Sequence, residues 1–157
     1  SARLSNLVLA REVHSRVGIE AIIHYTCRDR NILGIQSELL GAEVLGIANI
    51  LCVTGDPPKL GDYPMATAVF DVDAIGLLKI ADNLNHSLDL AGNSIAKGTA
   101  FHLGCGVNPG AVDLDLEIDS ALESHRKILI NRASDYCVRK VKYNESFKGI
   151  MVTIAPE

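Results

Sequence analysis

Along this chain, short apolar runs that end in polar clusters alternate with longer segments of helical periodicity, and this alternation constrains the fold most strongly. The run 21–25 leads into the polar cluster 26–31, and the run 50–53 leads into 54–58, which is rich in Gly and Pro. Strands that alternate with helices predict parallel strands joined by right-handed crossovers. The pattern therefore indicates an α/β fold, either a doubly wound sheet or part of a closed barrel.

Apolar periodicity and turn residues place the individual elements. Helices are predicted over 4–17, 32–45 and 113–130, and a further helix is predicted to begin at a cap, Asp71 or Asp73, and to end near residue 85. Strands are predicted over 21–25, 50–53, 100–103, 136–138 and 150–152. Two Gly-rich stretches, 55–64 and 104–110, are predicted as loops. A loop as long as 55–64 is expected to carry function or to cover a site.

Two features favour the barrel over the doubly wound sheet. No GxGxxG motif follows the first strand, as a dinucleotide-binding sheet would require, and the polar clusters lie at the C-terminal ends of strands, where barrel enzymes build their sites. A complete eight-unit barrel takes roughly 200 to 250 residues, whereas this chain has 157. We therefore expect one domain over 1–157 that forms an incomplete (βα)8 TIM barrel.

Composition excludes several classes of function. The net charge is −4 and the Lys and Arg residues form no long run, which argues against a nucleic-acid surface. No stretch of 18 apolar residues occurs, so no membrane span is expected, and the N-terminal segment lacks the order of a signal peptide. The four Cys are widely spaced without a CxxC pair, which predicts buried thiols in a reducing cytoplasm rather than structural zinc or a disulfide framework.

Asp56 is the strongest candidate for chemistry, because Gly55 allows close backbone approach and Pro57 rigidifies the turn beyond it. Its carboxylate would then be held at the mouth of the strand, although an Asp in a turn also commonly bonds its own backbone. His24 interrupts an apolar run and shares a strand face with Thr26. A histidine there either contacts a ligand or is a satisfied core group.

The polar clusters leave further alternatives open. Asp29 could cap the following helix, or Arg28 and Arg30 could bind a phosphate group. The glycines of 104–110 suit close passage of a flat or phosphate-bearing ligand, and they equally suit a turn. The sequence contains no nucleophile elbow, phosphate-cradling GxxxxGK or metal triad, which disfavours hydrolases, P-loop enzymes and metal-dependent catalysis.

Four ordered motifs carry a resemblance to a known family: HYTCRDRN at 24–31, GIANILCVTGDPP at 46–58, FDVD at 70–73 and GVNPGAVDLDLE at 106–117. Together they resemble the 5,10-methylenetetrahydrofolate reductase family, and most closely the reductase domain of bifunctional homocysteine S-methyltransferase/methylenetetrahydrofolate reductase proteins. The resemblance implies a flavin-containing (βα)8 barrel that uses NAD(P)H to reduce 5,10-methylenetetrahydrofolate to 5-methyltetrahydrofolate. FAD is the implied cofactor, with FMN as the alternative.

The resemblance also implies partners and a cellular role. It implies a cytoplasmic enzyme of one-carbon metabolism and methionine biosynthesis, with a folate substrate and with neither nucleic acid nor membrane as a partner. It is compatible with a homo-oligomer and with fusion to, or association with, a homocysteine methyltransferase domain.

Roles for individual residues are implied by the resemblance alone. Asp56 is the implied catalytic residue, a carboxylate near flavin N1 and the folate pterin whose negative charge makes the reduced cofactor a better hydride donor. His24 is implied to contact the flavin, and Asn108 and Ala111 to meet its ribityl and phosphate portion. The full implied set of flavin-binding residues is His24, Thr54, Gly55, Asp56, Phe70, Asp71, Asn108, Ala111, Glu117 and Lys127. No metal ligand is implied.

The chain departs from the family's pattern in two places. The family's general acid is a glutamate on a strand expected to lie outside this chain, and the triplet 139–141 stands where the family continues with Thr-Gln-Pro. An incomplete sequence and a degenerate half-barrel both account for these departures. Two alternatives to the reductase therefore stay open: a non-catalytic half-barrel that binds a partner, and a different pterin-binding barrel such as a methyltransferase.

Overall fold

The structure is a computed structural model that describes residues 2–107, 136–144 and 149–156. Its elements are α1 (Asn6–Val17), β1 (Ile22–Thr26), α2 (Ile32–Val44), β2 (Asn49–Val53), a short 3-10 helix (Pro58–Leu60), α3 (Ala74–Asn85), β3 (His102–Val107), β4 (Tyr136–Asn144) and β5 (Gly149–Pro156). The predicted alternation of helix and strand is confirmed through β3. The predicted helix 113–130 lies outside the described residues.

The strands form one sheet in the order β1-β2-β3-β5-β4. The first three strands are parallel, as predicted. The prediction of parallel strands is wrong for the last two, because β5 runs antiparallel to both β3 and β4. Only four residues separate Asn144 from Gly149. That is too short for the crossover of a dozen or more residues that parallel neighbours need, whereas antiparallel neighbours can be joined by a short turn.

Strand β3 also differs from its prediction. It begins at His102 rather than at 100, and it continues through Val107, so its glycines Gly104 and Gly106 lie in the strand and not in a loop. Main-chain pairing explains the difference: Gly104 is the register partner of Leu51 on one side and of Thr153 on the other. A ladder of backbone hydrogen bonds on both edges holds a glycine extended although it has no side chain to pack.

The helices cover one face of the parallel strands. Because β1, β2 and β3 are neighbours in chain order, right-handed crossovers place α2 and α3 on the same side. The buried strand residues alternate with exposed or half-buried ones and join buried residues of α1, α2 and α3 in a single core cluster. The strand members of this core are Ile23, Tyr25, Ile50, Cys52 and Leu103. On the opposite face Ile22 remains 63% exposed and His24 is exposed.

Side-chain caps begin α2 and α3. The Asn31 side chain accepts a hydrogen bond from the Gly34 amide at 2.8 Å, and the Asp73 carboxylate accepts one from the Gly76 amide at 2.8 Å. Both bonds span three residues, which is the reach of an N-cap side chain. Asp29 lies two residues too early for this role, so its predicted capping of the second helix is wrong. Of the two caps proposed for α3, Asp73 is the one used.

Loss of the Asp73 cap should destabilise the fold modestly. We expect Asp73→Ala to lower the free energy of unfolding by about 1 kcal/mol, since an amide of the first helical turn would lose its partner. Urea unfolding measures the change. Lys79→Ala, at an exposed position of the same helix, serves as the control and should change the free energy by less than about 0.5 kcal/mol. Equal losses in the two variants would contradict the capping role.

Cys27 and Cys52 are buried, and neither they nor Cys105 forms a disulfide. Burial raises the pKa of the Cys27 thiol to about 11 and raises that of Cys52 further. The prediction of buried thiols is confirmed for these two residues. Across the described residues, no helix combines the length and the apolar character needed to cross a bilayer.

Candidate functional site

The polar clusters predicted as a site meet at the C-terminal ends of β1 and β2. These strands are parallel and in register through the pair Thr26 and Val53. Just beyond it the Cys27 amide donates a hydrogen bond to the Thr54 carbonyl oxygen at 3.2 Å. The clusters 26–31 and 54–58 therefore leave the sheet side by side, as strand ends in a parallel sheet do.

Gly55 makes the turn that brings Asp56 to this edge. Its φ is +92°, and a Cβ at this position would lie 3.1 Å from the Cβ of Thr26, so the backbone passes closely over that side chain. Asp56 itself is exposed. Within residues 2–107 its carboxylate accepts no hydrogen bond from the backbone, in contrast to the capping carboxylate of Asp73. The alternative in which Asp56 only bonds the backbone of its own turn is therefore not observed among the described residues.

Arg28 joins the two clusters. Its Nη1 donates to the backbone oxygen of Asp56 at 3.1 Å. Its Nε and Nη2 donate to the two carboxylate oxygens of Asp29 at 2.6 and 3.0 Å. The hydrogen bond from Arg28 lowers the pKa of Asp29, and the same bond raises the pKa of Arg28. Asp29 thus serves as the counter-ion of Arg28.

Arg30 is directed away from this edge. Its Nε lies 2.5 Å from a carboxylate oxygen of Glu38, and its guanidinium lies 5.0 Å from the centre of the Tyr25 ring. The Tyr25 hydroxyl donates to the same carboxylate at 3.0 Å, and burial raises the pKa of that hydroxyl. Both arginines are therefore already paired with carboxylates of the chain, which argues against the predicted phosphate site.

The segment that follows Asp56 returns to the same edge of the sheet, where two hydrogen bonds hold it. The Val69 amide donates to the Arg28 carbonyl oxygen at 2.9 Å, and the Asp71 carboxylate accepts from the amide of Ile32, the first residue of α2, at 3.1 Å. Between them Phe70 adopts a φ of +46°, which few residues other than glycine, Asn and Asp adopt. Phe70 also packs against the core cluster.

Thr54 anchors the other side of the site. Its Oγ1 accepts a hydrogen bond from the amide of Ala74, the first residue of α3, at 3.1 Å. This bond links the end of β2 directly to the start of the next helix. The hydroxyl proton of Thr54 remains available to donate, because an alcohol oxygen accepts and donates independently.

His24 lies on the sheet face that the helices leave exposed. It shares that face with Thr26, as predicted, and with Ile22. Its register partner is Leu51, whose own partner on β3 is Gly104. The row continues to Thr153 on β5, and Gly104 contributes no side chain to it two strands away from the histidine. The predicted alternative of a core histidine is wrong, since His24 is exposed.

The structure thus places five of the predicted site residues at the C-terminal edge of the sheet, Thr54, Gly55, Asp56, Phe70 and Asp71, and a sixth, His24, on the exposed face of β1. The remaining four, Asn108, Ala111, Glu117 and Lys127, lie outside the described residues. Sequence reasoning did not foresee the bonds from Arg28 to Asp56 and from Ile32 to Asp71. Each joins residues that are 28 or 39 positions apart, and no local pattern signals such a pairing.

Substitution of Gly55 should cost more than substitution of Gly18, whose φ is +73° but whose Cβ position is open. We expect Gly18→Ala to cost about 1 kcal/mol for the left-handed backbone. Gly55→Ala should cost about 2 kcal/mol, because contact with Thr26 adds an overpacking penalty to backbone strain. Urea unfolding of both variants measures the difference. Equal losses would show that Gly55 is required only for its backbone angle.

Comparison with models of known families matches residues 1–92 to one described as methylenetetrahydrofolate reductase. The match contains β1, β2, α3 and the six predicted site residues that the structure describes. Searches of curated proteins and of solved structures found no match. The family match spans more than half of the 157 residues, and it agrees with the family resemblance of the motifs at 24–31, 46–58 and 70–73. The chain therefore belongs to the methylenetetrahydrofolate reductase family.

Proposed function

We propose that this protein reduces 5,10-methylenetetrahydrofolate to 5-methyltetrahydrofolate with NAD(P)H and a bound flavin, FAD or alternatively FMN. The observation that carries the proposal is Asp56, whose carboxylate is exposed and whose backbone is held at the C-terminal edge of β2 by the turn at Gly55 and by Arg28. The resemblance to the family implies an acidic group that contacts the ligands, and the exposed carboxylate of Asp56 can provide this contact.

The described residues fit a flat cofactor of this kind. The exposed sheet face carries His24 and the half-buried Leu51, Gly104 adds no side chain next to Leu51, and the backbone at Gly55 is partly exposed at the C-terminal edge of β2. When bound, a flavin would supply the chemistry of accepting hydride from NAD(P)H and passing it to the folate. The residues proposed to hold it are His24, Thr54, Gly55, Asp56, Phe70, Asp71, Asn108, Ala111, Glu117 and Lys127.

Asp56 has two proposed tasks in this site. Its carboxylate accepts hydrogen bonds, so it would orient the donor groups of the folate pterin. Its negative charge disfavours additional negative charge beside it, so it would make a reduced flavin a better hydride donor. Thr54 and Arg28 hold the backbone on either side of Asp56. The carboxylate would therefore be in place before the ligands bind.

The exposed sheet face supports a further proposal, that residues 1–157 form part of a (βα)8 barrel domain. Parallel strands are normally covered on both faces, yet Ile22 is 63% exposed and His24 is exposed. In a barrel of this kind the helices form the outer layer and the opposite face of the strands lines the interior. The face that carries His24 would then become the interior surface next to the substrate.

Cofactor uptake tests the proposal directly. We expect the purified protein to show the visible absorbance of flavin, or to quench the fluorescence of added FAD or FMN upon binding. A colourless protein that binds neither would contradict the proposal. A protein that binds folate without oxidising NAD(P)H in its presence would favour a pterin-binding methyltransferase. One that binds neither flavin nor folate would favour a non-catalytic module.

A further inference from the structure

We propose that Arg28 is a positioning residue for Asp56. It acts as a clamp that holds both ends of the loop 54–70. Asp29 is its counter-ion and keeps the positive charge of Arg28 from offsetting the negative charge of Asp56. The positioning role in catalysis rests on the proposed function. The clamp itself does not, because it is a property of the loop and is measured without a cofactor.

The clamp consists of two hydrogen bonds from one residue. The guanidinium Nη1 donates to the Asp56 oxygen at 3.1 Å near the start of the loop, and the Arg28 carbonyl oxygen accepts from the Val69 amide at 2.9 Å near its end. Most of the residues between these points are exposed, among them Leu60 and Met65. A long exposed loop keeps its ends in place only through such contacts.

The counter-ion explains how an arginine can serve here. A bare guanidinium beside Asp56 would offset the negative charge that the proposed chemistry requires. Asp29 takes two of the hydrogen bonds of Arg28, so the pair is neutral as a whole and Arg28 still has Nη1 for the loop. The side chains are 33% and 48% exposed, so this ion pair adds little to stability. Its importance is geometric.

Tryptic cleavage after Lys59, which lies in the exposed part of the loop, measures the clamp in the protein without cofactor. We expect Arg28→Gln to accelerate cleavage about tenfold, the factor for one lost charge-assisted hydrogen bond of modest strength. Arg28→Lys should fall between this variant and wild type, because one ammonium cannot hold Asp29 and Asp56 in the same geometry. The control is Arg16→Gln, which removes an arginine that is 78% exposed and pairs with Glu12 on α1.

Charge and position are separated by a double variant. Arg28→Gln with Asp29→Asn removes one positive and one negative charge, so the net charge beside Asp56 stays as in wild type while the guanidinium hydrogen bond of the clamp is lost. In the flavin-loaded protein we expect hydride transfer to the folate to slow on the order of tenfold and oxidation of NAD(P)H to change less than about threefold. Asp29→Asn alone should keep the loop closed and shift the flavin midpoint potential in the positive direction, since Arg28 becomes uncompensated.

Each outcome decides one part of the proposal. Equal cleavage rates in Arg28→Gln, Arg16→Gln and wild type would overturn the clamp, whatever the cofactor. A clamp that opens in the double variant without slowing the folate step would overturn the positioning role. If the wild-type protein bound no flavin, the proposed function would fail. The cleavage rates, which are measured without cofactor, would still show whether Arg28 holds the loop.

Discussion

Replacement of Asp56 by Asn should slow hydride transfer to the folate on the order of 100-fold, while the oxidation of NAD(P)H changes only a few fold. The substitution keeps the size of the side chain and removes its negative charge. In the proposed function the charge would act most strongly on the reduced cofactor, so its loss should weaken hydride donation in the folate half-reaction. Uptake of hydride from NAD(P)H should not be slowed, because the negative charge that the flavin gains is then no longer opposed by the carboxylate.

Rapid-mixing measurements of the two half-reactions test this prediction separately. Folding should be unaffected, since the carboxylate is exposed and accepts no backbone hydrogen bond within residues 2–107. Asp62→Asn is a matched control, because it removes the same charge from an exposed position in the same loop. Equal slowing of both half-reactions by Asp56→Asn would contradict the assigned role, and so would an equal effect of Asp62→Asn.

The largest effect on stability is expected for Leu39→Ala in α2. Leu39 is fully buried in the core between the helices and the sheet, and truncation leaves a cavity that the surrounding side chains fill only in part. We expect a loss of about 3 kcal/mol in the free energy of unfolding. Urea unfolding measures it through the midpoint, provided that the denaturant dependence stays the same.

Leu33→Ala provides the control for this core substitution. It makes the same change in the same helix at a side chain that is 75% exposed, and alanine is at least as good a helix former as leucine. The control should therefore change the free energy of unfolding by less than about 0.5 kcal/mol. A loss for Leu39→Ala no larger than that of Leu33→Ala would contradict the core described here.

Much of the fold follows from local patterns in the sequence. The strands β1 and β2 were predictable because apolar runs bounded by polar residues match the length of buried strands, and α2 and α3 because their apolar spacing is helical. The direction of β5 is a question of pairing, and it depends on how few residues separate Asn144 from Gly149. The extension of β3 through Gly104 and Gly106 depends on two partner strands, which residue preferences alone do not reveal.

The candidate site divides in the same way. That clusters at the ends of β1 and β2 would meet followed from parallel pairing, and the exposure of Asp56 follows from the turn at Gly55. The contacts that hold the site could not be predicted, because Arg28, Val69 and Asp71 act on residues far away in the chain. The sequence offered Arg28 as a phosphate ligand. The structure instead uses its guanidinium within the chain, and only the three-dimensional neighbourhood distinguishes these uses.

One single-turnover experiment tests the central claim most directly. The protein is loaded with flavin, reduced without oxygen by NADH or NADPH, separated from the nucleotide and mixed with 5,10-methylenetetrahydrofolate. We expect the flavin absorbance to return to the oxidised form as an equal amount of 5-methyltetrahydrofolate appears. A reduced flavin that stays reduced in the presence of the folate would contradict the proposed function.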